Sequence, residues 1–297
     1  TGDDLQVAFS QPTANKIVFE GASLNVDVQA SKNARIIVWN NDEEIYNDSL
    51  QNASFSFSPD EVGTNMLKVE ARSGGQTVSK ETSYSVWASS NVVQDPPEGT
   101  RPGLNYLEDS YVFMLHAPGK LNATLLCPMN NFTPNADYVM NESTDGETYW
   151  IEIPKAAFGE GEHTYQYMVN LSTTVADPYS EVVLDPANDP FIQSSSFEGL
   201  PPYPKGASGV VTAFDGEKLS YDWQVNDFVP AEKADMVIYE LLIRDFLEDH
   251  SYASLTDSLD YLQKLGVNTI ELMPIYEFEG NISWGYNPSF QLAVDKY

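Results

Sequence analysis

The hydrophobic periodicity of the chain changes after Ala234, and this change restricts the folds that it can adopt. Before this position, apolar and polar residues alternate in short runs, which is typical of strands with one buried face. After it, a nearly continuous apolar run over residues 236–243 indicates a strand covered on both faces. We therefore expect all-β domains followed by the beginning of an α/β domain.

The first ninety residues predict a β-sandwich. Apolar and polar residues alternate over 24–30, 54–58 and 67–71, so one set of side chains can face a core while the other faces water. Turn-forming residues separate these runs at 40–42, 58–60 and 73–75. We predict an immunoglobulin-like β-sandwich over residues 1–88, with the role of a spacer.

A polar, proline-containing stretch, residues 89–102, separates a second β region from the first. We predict a second β-sandwich over residues 103–190. Its expected strands are Tyr111–Leu115, Ala123–Cys127, Tyr149–Ile153 and His163–Val169. Residues 191–234 are irregular and rich in proline, glycine and aromatic residues, whereas a disordered tether would be polar. We expect them to form a linker that packs along domain surfaces.

The residues after Ala234 predict a strand–helix–strand unit. The strand over 236–243 is followed by Ser254 and Asp257, the spacing of a helix N-terminal capping box. The expected apolar stripe of the helix is Leu255, Leu259, Leu262 and Leu265. Gly266 would end the helix, and a second buried strand would follow over 267–273.

Composition excludes several classes of function. The net charge of −29 would repel nucleic acid and anionic lipid, and no apolar stretch approaches the roughly 18 residues of a membrane span. The lone Cys127 is predicted to be a small buried hydrophobe. The histidines, His116, His163 and His250, are scattered, so no metal site is predicted.

A succession of short motifs runs through residues 105–190. The pieces are His116-Ala117-Pro118, residues 128–134 (Pro-Met-Asn-Asn-Phe-Thr-Pro), Asp145-Gly146, Tyr149-Trp150, residues 163–167 (His-Thr-Tyr-Gln-Tyr) and residues 176–179 (Ala-Asp-Pro-Tyr). This order resembles the N-terminal β-sandwich that precedes the barrel in enzymes of the α-amylase superfamily, a module related to glycogen-binding modules. Glycan-binding members commonly have Trp where this chain has Phe132, so two roles stay open, glycan binding and packing against the next domain.

A second resemblance covers residues 236–297. It is carried by residues 237–246 (Val-Ile-Tyr-Glu-Leu-Leu-Ile-Arg-Asp-Phe), 262–266, 271–275 (Glu-Leu-Met-Pro-Ile), 284–288 (Trp-Gly-Tyr-Asn-Pro) and 295–297 (Asp-Lys-Tyr). These pieces are similar to the opening of the catalytic (β/α)8 barrel of the same superfamily. The resemblance implies a multidomain protein, with two all-β sandwiches and then, over residues 235–297, the first β/α units of a TIM barrel that is incomplete in this chain.

The resemblance also indicates which residues contact substrate. In this family the nucleophile, the acid/base and a third acid come from barrel strands four, five and seven, so no catalytic residue is expected here. Structural roles, as barrel-interior or strand-end hydrogen-bonding groups, are expected for Glu240, Asp245 and Glu271. Tyr286 matches the family's tyrosine that stacks under a sugar ring, and its neighbours Trp284 and Asn287 are further candidates for substrate binding.

The implied function is that of the N-terminal portion of an α-glucan-active glycoside hydrolase that retains configuration at starch-like linkages. Two alternatives stay open: a non-catalytic glycan-binding surface protein with a degenerate barrel, and a transglycosylase or branching enzyme of the superfamily. No cofactor is expected in these residues, although family members frequently bind calcium through later segments. We expect a longer parent polypeptide with its leader removed, located outside the cell or on its surface, with or without a lipid anchor, or in the periplasm.

Overall fold

The computed structural model describes residues 4–89, 92–217 and 220–297. Residues 1–3, in the first predicted domain, and residues 218 and 219, in the predicted linker, lie outside the described residues, as do residues 90 and 91. Contacts divide the chain into two compact units, Thr1–Asn91 and Val92–Tyr297.

The first unit is a β-structure around one apolar core. Its strands are β1 (Val7–Gln11), β2 (Lys16–Phe19), β3 (Leu24–Asn40), β4 (Glu43–Phe57), β5 (Gly63–Ser73) and β6 (Gln76–Trp87). The strand β3 pairs with β1 through its first half and with β5 through its second half, while β4 pairs along both halves. The predicted alternation is confirmed, because Val26 and Val28 are buried whereas Asn25 and Gln29 are exposed.

The second unit begins with a two-sheet β-sandwich, called here the second sandwich. Its elements are β7 (Gly103–Tyr106), β8 (Ser110–His116), β9 (Ala123–Leu126), β10 (Asn141–Glu142), β11 (Thr148–Pro154), α1 (Lys155–Phe158), β12 (Glu162–Val169), β13 (Thr173–Val175), β14 (Val182–Leu184) and β15 (Val211–Asp215). One sheet has the order β10-β11-β8-β7, and the other has the order β13-β12-β15-β14, with β9 also pairing with β12. Aromatic side chains such as Phe113 and Tyr165 fill the core between the sheets.

Within the expected linker, residues 191–234, Leu200, Tyr203 and Ala207 pack against the second sandwich as expected, while other parts of the segment differ from a packed linker. The strand β15 lies inside this segment and pairs with both β12 and β14, and its Val211 is fully buried. A five-residue strand between glycine- and serine-rich turns has too short an apolar run to stand out by periodicity. Further along, Trp223 and Phe228 are 69% and 76% exposed, so these side chains do not pack on a surface of the described structure.

Residues 236–297, the C-terminal βαβ region, contain a parallel pair of strands joined through helices. The elements are β16 (Ile238–Leu241), α2 (Ile243–Phe246), α3 (Tyr252–Asp257), α4 (Leu259–Lys264), β17 (Thr269–Leu272), β18 (Tyr276–Phe278) and β19 (Pro288–Val294). The strands β16 and β17 pair in parallel, and β18 and β19 form an antiparallel hairpin. Within the described residues, no helix has the length and apolar character that a membrane span requires.

Two local predictions in this region are wrong. The first strand is not covered on both faces: Leu241 is buried against the helices, but Ile238 is 54% exposed, because helices cover only one face of the two-stranded sheet. The helix cap is Ser251 and not Ser254, since the Ser251 Oγ accepts a hydrogen bond from the Ser254 backbone N–H at 3.1 Å.

The apolar stripe is also only half formed. The helix is divided at Ser258 into α3 and α4, which changes the direction of the side chains that follow. Leu255 and Leu262 are therefore buried, while the other two leucines of the stripe, Leu259 and Leu265, are 42% and 58% exposed.

Candidate functional site

The three predicted substrate-binding residues lie in one loop, residues 279–287, between β18 and β19. The side chains of Trp284 and Tyr286 are 66% and 65% exposed, and Asn287 is also exposed. The loop folds back onto Pro274, just after β17, so it lies at the carboxyl end of the parallel strands. Ligand sites of parallel α/β folds lie at this end.

Close backbone packing holds the loop in place. Gly285 has a φ of +83°, and a Cβ atom there would lie 2.3 Å from the carbonyl oxygen of Pro274. Only glycine fits this approach and this backbone conformation without strain. The Ser283 hydroxyl accepts a hydrogen bond from the Gly285 N–H at 3.1 Å and donates one to the Asn287 side chain. The backbone beside Tyr286 is therefore locally ordered although its ring is exposed.

Sequence reasoning missed Arg244, which supports this loop from α2, just after β16. Its guanidinium Nη1 donates to the Ser283 carbonyl oxygen at 2.8 Å, and its Nε lies 3.1 Å from the Asp245 carboxylate. The side chain is only 13% exposed. The sequence signal that could have identified Arg244 is a charged residue directly after an apolar strand run. Arg244 thus connects the residues after β16 to the loop after β17.

A buried ion pair lies at the base of the hairpin. The Lys296 ammonium, 3% exposed as a residue, donates to Glu277 Oε1 at 2.5 Å and lies 3.4 Å from Asp189 Oδ1. Burial, opposed by the Lys296 charge, raises the pKa of Glu277 to about 7. Because Asp189 follows β14, the pair connects the C-terminal βαβ region to the second sandwich. Neither Glu277 nor Lys296 was a candidate from sequence, since the hairpin itself was not predicted.

The carboxylates assigned structural roles are all solvent-exposed. Glu240 and Glu271 lie directly opposite each other in the parallel ladder, and within the described residues neither side chain has a hydrogen bond. Asp245 accepts from Arg244. Asp245 thus makes the hydrogen bond expected of a structural group, while the structural roles of Glu240 and Glu271, as barrel-interior or strand-end groups, stay predictions.

The second sandwich buries the aromatic residue singled out by resemblance. Phe132 is 6% exposed and packs against Leu126, Leu184 and Val211, so its ring is not available to stack on a sugar. Cys127 is fully buried, as predicted, and burial raises the pKa of its thiol to about 11. Among the described residues, no three His, Cys, Asp or Glu side chains are grouped as a metal site would require.

The curated proteins that this chain resembles include malto-oligosyltrehalose trehalohydrolases and isoamylases. No family model matches the chain. The chain is similar to malto-oligosyltrehalose trehalohydrolase from Saccharolobus solfataricus, with 27% identity over 187 residues, 63% of this chain and 28% of that protein. It is similar to chloroplastic isoamylase 1 from Arabidopsis thaliana, with 32% identity over 199 residues, 61% of this chain and 25% of that protein. The chain thus spans about a quarter of the length of these curated relatives.

Among solved structures, pullulanase type I from Bacillus subtilis in complex with maltose aligns over 98% of this chain and 42% of its own, with a TM-score of 0.47 and 17% identity. The curated relatives are glycoside hydrolases of the α-amylase superfamily. The resemblance predicted from the sequence is therefore confirmed: the chain is similar to the N-terminal part of such enzymes.

Proposed function

We propose that this chain, whose relatives are α-amylase-superfamily glycoside hydrolases, is the N-terminal portion of an enzyme that hydrolyses α-glucosidic bonds in starch-like glucans with retention of configuration. The loop at the carboxyl end of β17 is the observation that supports this proposal most directly. It presents the ring of Tyr286 to solvent on a backbone held by Gly285 and Arg244. An ordered, exposed aromatic ring suits the apolar face of a neutral sugar.

The domain organisation is part of this proposal. Residues 1–88 are assigned to an immunoglobulin-like sandwich, and the parallel pairing of β2 with the last strand, β6, supports it. Residues 103–190 are assigned to the glycogen-binding-module-like sandwich, with β15 of segment 191–234 completing one sheet. Residues 235–297 are assigned to the first β/α units of a (β/α)8 barrel, supported by the parallel pair β16–β17 with a helical crossover.

In the proposed mechanism, these residues bind substrate and perform no covalent step. Retaining hydrolysis needs a carboxylate nucleophile and a carboxylic acid about 5 to 5.5 Å apart. The acid must also be kept protonated by burial or a neighbouring charge, whereas Glu240 and Glu271 are exposed on an open sheet. The chain contributes Tyr286 for stacking, with Trp284 beside it and Asn287 as a hydrogen-bonding group. Catalytic carboxylates are assigned to later segments of the parent polypeptide.

Product analysis of the parent polypeptide on starch, glycogen and pullulan tests the activity. The variant Tyr286→Ala should lower kcat/KM for the cleaved glucan about tenfold or more, while Tyr286→Phe retains most activity because the ring stays. Tyr221→Ala is the matched control, since Tyr221 is 74% exposed and outside the loop. Inactivity on all three glucans would instead favour the non-catalytic glycan-binding reading, and new linkages in the products would favour transglycosylation or branching.

The proposed location is extracellular or on the cell surface. The strongly acidic composition and the single cysteine, Cys127, support it, because such β modules are common on exported bacterial proteins. Fractionation of the source cells with an antibody against this chain tests the location. Recovery in the cytosol alone would contradict it.

A further inference from the structure

A cleft with a volume of about 330 Å³ opens at one side of the second sandwich. Its walls come from β7, from β14 and β15, and from the loop at residues 197–201. The strands β7 and β14 are the edges of the two sheets, so the cleft lies where the sheets part. Its volume is at the lower end of the range for small-molecule sites in proteins.

An exposed tyrosine lies on one wall, and its backbone is held in place. Tyr179 is 47% exposed, and its backbone N–H donates to the buried Asp177 carboxylate at 2.8 Å. A Cβ atom at Gly103 would lie 2.8 Å from the Tyr179 Cβ, so the backbone of β7 packs directly against this residue. The backbone that carries the Tyr179 ring is therefore already ordered before a ligand stacks on the ring.

Three further aromatic residues, Tyr106, Phe197 and Phe214, line the cleft. The Tyr106 hydroxyl donates to the carbonyl oxygen of Asp215 at 3.1 Å, and its ring meets the ring of Phe214 edge to face, with centroids 6.4 Å apart. Phe197, half-buried, faces the cleft from the loop. The cleft thus offers apolar ring surface from several elements, and a hydrogen bond holds the ring of Tyr106.

Charged groups at the rim of the cleft are free to bind a ligand. Within the described residues, the side chains of Arg101, Glu181 and Glu198 have neither a hydrogen bond nor an ion pair, and all three residues are exposed. Burial, followed by the charge of Glu181, raises the pKa of Tyr106 to about 12. The negative potential disfavours anionic ligands, while exposed carboxylates attract a cation only weakly because water screens them.

We propose that this cleft is a binding site for a neutral sugar, separate from the loop of Tyr286. An uncharged pyranose has an apolar C–H face for the ring of Tyr179 and hydroxyl groups that donate to carboxylates and accept from a guanidinium. The buried Phe132 does not line the cleft, so the site is also distinct from the position that the module resemblance associates with glycan. The choice of an α-glucan as the sugar rests on the proposed function.

Isothermal titration calorimetry of the chain with maltoheptaose tests this site in a Tyr286→Ala background, which removes stacking at the loop. Adding Tyr179→Ala should raise the Kd about tenfold, the effect of losing one stacked ring. This substitution keeps the Cβ atom against Gly103 and the N–H bond to Asp177, so the fold is preserved. Adding Tyr179→Phe should change the Kd less than threefold, and adding Tyr221→Ala should leave it unchanged.

Phe197→Ala, at another lining residue of the cleft, is a second variant that should also weaken binding. An unchanged Kd in both Tyr179→Ala and Phe197→Ala would overturn the proposal, as would binding that disappears with Tyr286→Ala alone. The latter result would leave the proposed function intact. Binding of an oligolysine peptide but not of maltoheptaose or cellohexaose would also overturn it, in favour of a cationic partner. Binding of cellohexaose alone, lost in Tyr179→Ala, would retain the sugar site and contradict the α-glucan assignment.

Discussion

In the second sandwich, the apolar faces of two sheets cover each other, whereas in the C-terminal βαβ region helices cover a two-stranded sheet on one face only. Tyr165 and Tyr167 are fully buried in the sandwich, and both hydroxyls donate to one carboxylate, that of Asp177. In the βαβ region, Ile238 is 54% and Leu265 is 58% exposed. Similar apolar runs are thus buried only where a second layer is present.

The largest expected effect tests the closed side of this comparison. Asp177→Ala removes a fully buried carboxylate, which leaves the Tyr165 hydroxyl and the Tyr179 N–H without an acceptor and leaves the Tyr167 hydroxyl with only its 3.5 Å bond to the Met114 carbonyl oxygen. Because an unsatisfied buried polar group costs about 1–3 kcal/mol, we expect a loss of about 3–5 kcal/mol of unfolding free energy. Urea unfolding followed by near-UV circular dichroism measures it. The exposed Asp137→Ala is the control, and equal midpoints for both variants would contradict the network.

The second prediction tests the open side. Leu262→Ala should destabilise the C-terminal βαβ region by about 2–4 kcal/mol, since Leu262 is only 2% exposed and packs against Leu241 and Leu255. Leu265→Ala is the matched control, because it makes the same change three residues further along the chain. It should cost less than about 0.5 kcal/mol because Leu265 is largely exposed. Hydrogen exchange of the β17 amides compares the two. Equal losses would show that Leu265 is also covered.

The third prediction concerns the loop that carries Tyr286. Gly285→Ala combines a positive φ with a contact of 2.3 Å to the Pro274 carbonyl oxygen, so we expect a loss of about 2–3 kcal/mol of local stability. Gly280→Ala is a matched control with a φ of +81° and no atom within 4 Å of the added Cβ, and it should cost about 1 kcal/mol. Trp284 fluorescence and exchange of the loop amides report the difference. Identical behaviour would mean that the contact with Pro274 does not hold the loop.

The smallest effect is on pH dependence, and it differs in sign between the two regions. Burial lowers the pKa of His163 in the folded sandwich below its ordinary value of about 6.5. As pH falls through 6.5, the unfolded state therefore binds more protons than the folded state, and this group destabilises the fold. Burial raises the pKa of Glu277 to about 7, so the folded state binds more protons between about 4.5 and 7, and this group stabilises the fold as pH falls. Each slope is at most about 1.4 kcal/mol per pH unit.

Two substitutions separate these opposing slopes. His163→Phe should make unfolding free energy less sensitive to acid, and Glu277→Gln should remove the stabilisation gained between pH 7 and 5. Thermal unfolding of both variants across this pH range measures the change. A shift of the same sign in both would refute the assignment of opposite contributions to the two regions.

Local pattern was enough to predict the elements that have strong periodicity. The alternation around Val26 and the apolar runs at Phe113 and Tyr165 indicated strands, and the structure has strands at these positions. Pattern failed at β15, which pairs with strands from separate segments, and at the hairpin β18–β19, whose short, irregular strands have no regular alternation. Burial predictions failed where the covering layer is missing, as at Ile238.

The candidate site likewise has residues that the sequence pattern identifies and contacts that only the fold brings about. The sequence identified Tyr286, Trp284 and Asn287 because they belong to one short motif. Such a motif can be recognised without knowledge of the fold. Arg244 is 39 residues from the carbonyl oxygen that it supports, so no local pattern could assign it this contact. The cleft beside Tyr179 brings together residues of five segments, and its existence depends on how two sheet edges part.

The sequence by itself determined the class of each segment, the acidic charge that excludes nucleic acid, and the glycoside hydrolase relationship, because these depend on residue types and on their spacing along the chain. The tertiary structure alone decided that Phe132 is buried, that Lys296 is paired with Glu277, and that the exposed Tyr179 packs its Cβ atom against β7. The physical reason is that burial and ion pairing are properties of neighbours in space, and in these cases the neighbours come from separate segments of the chain.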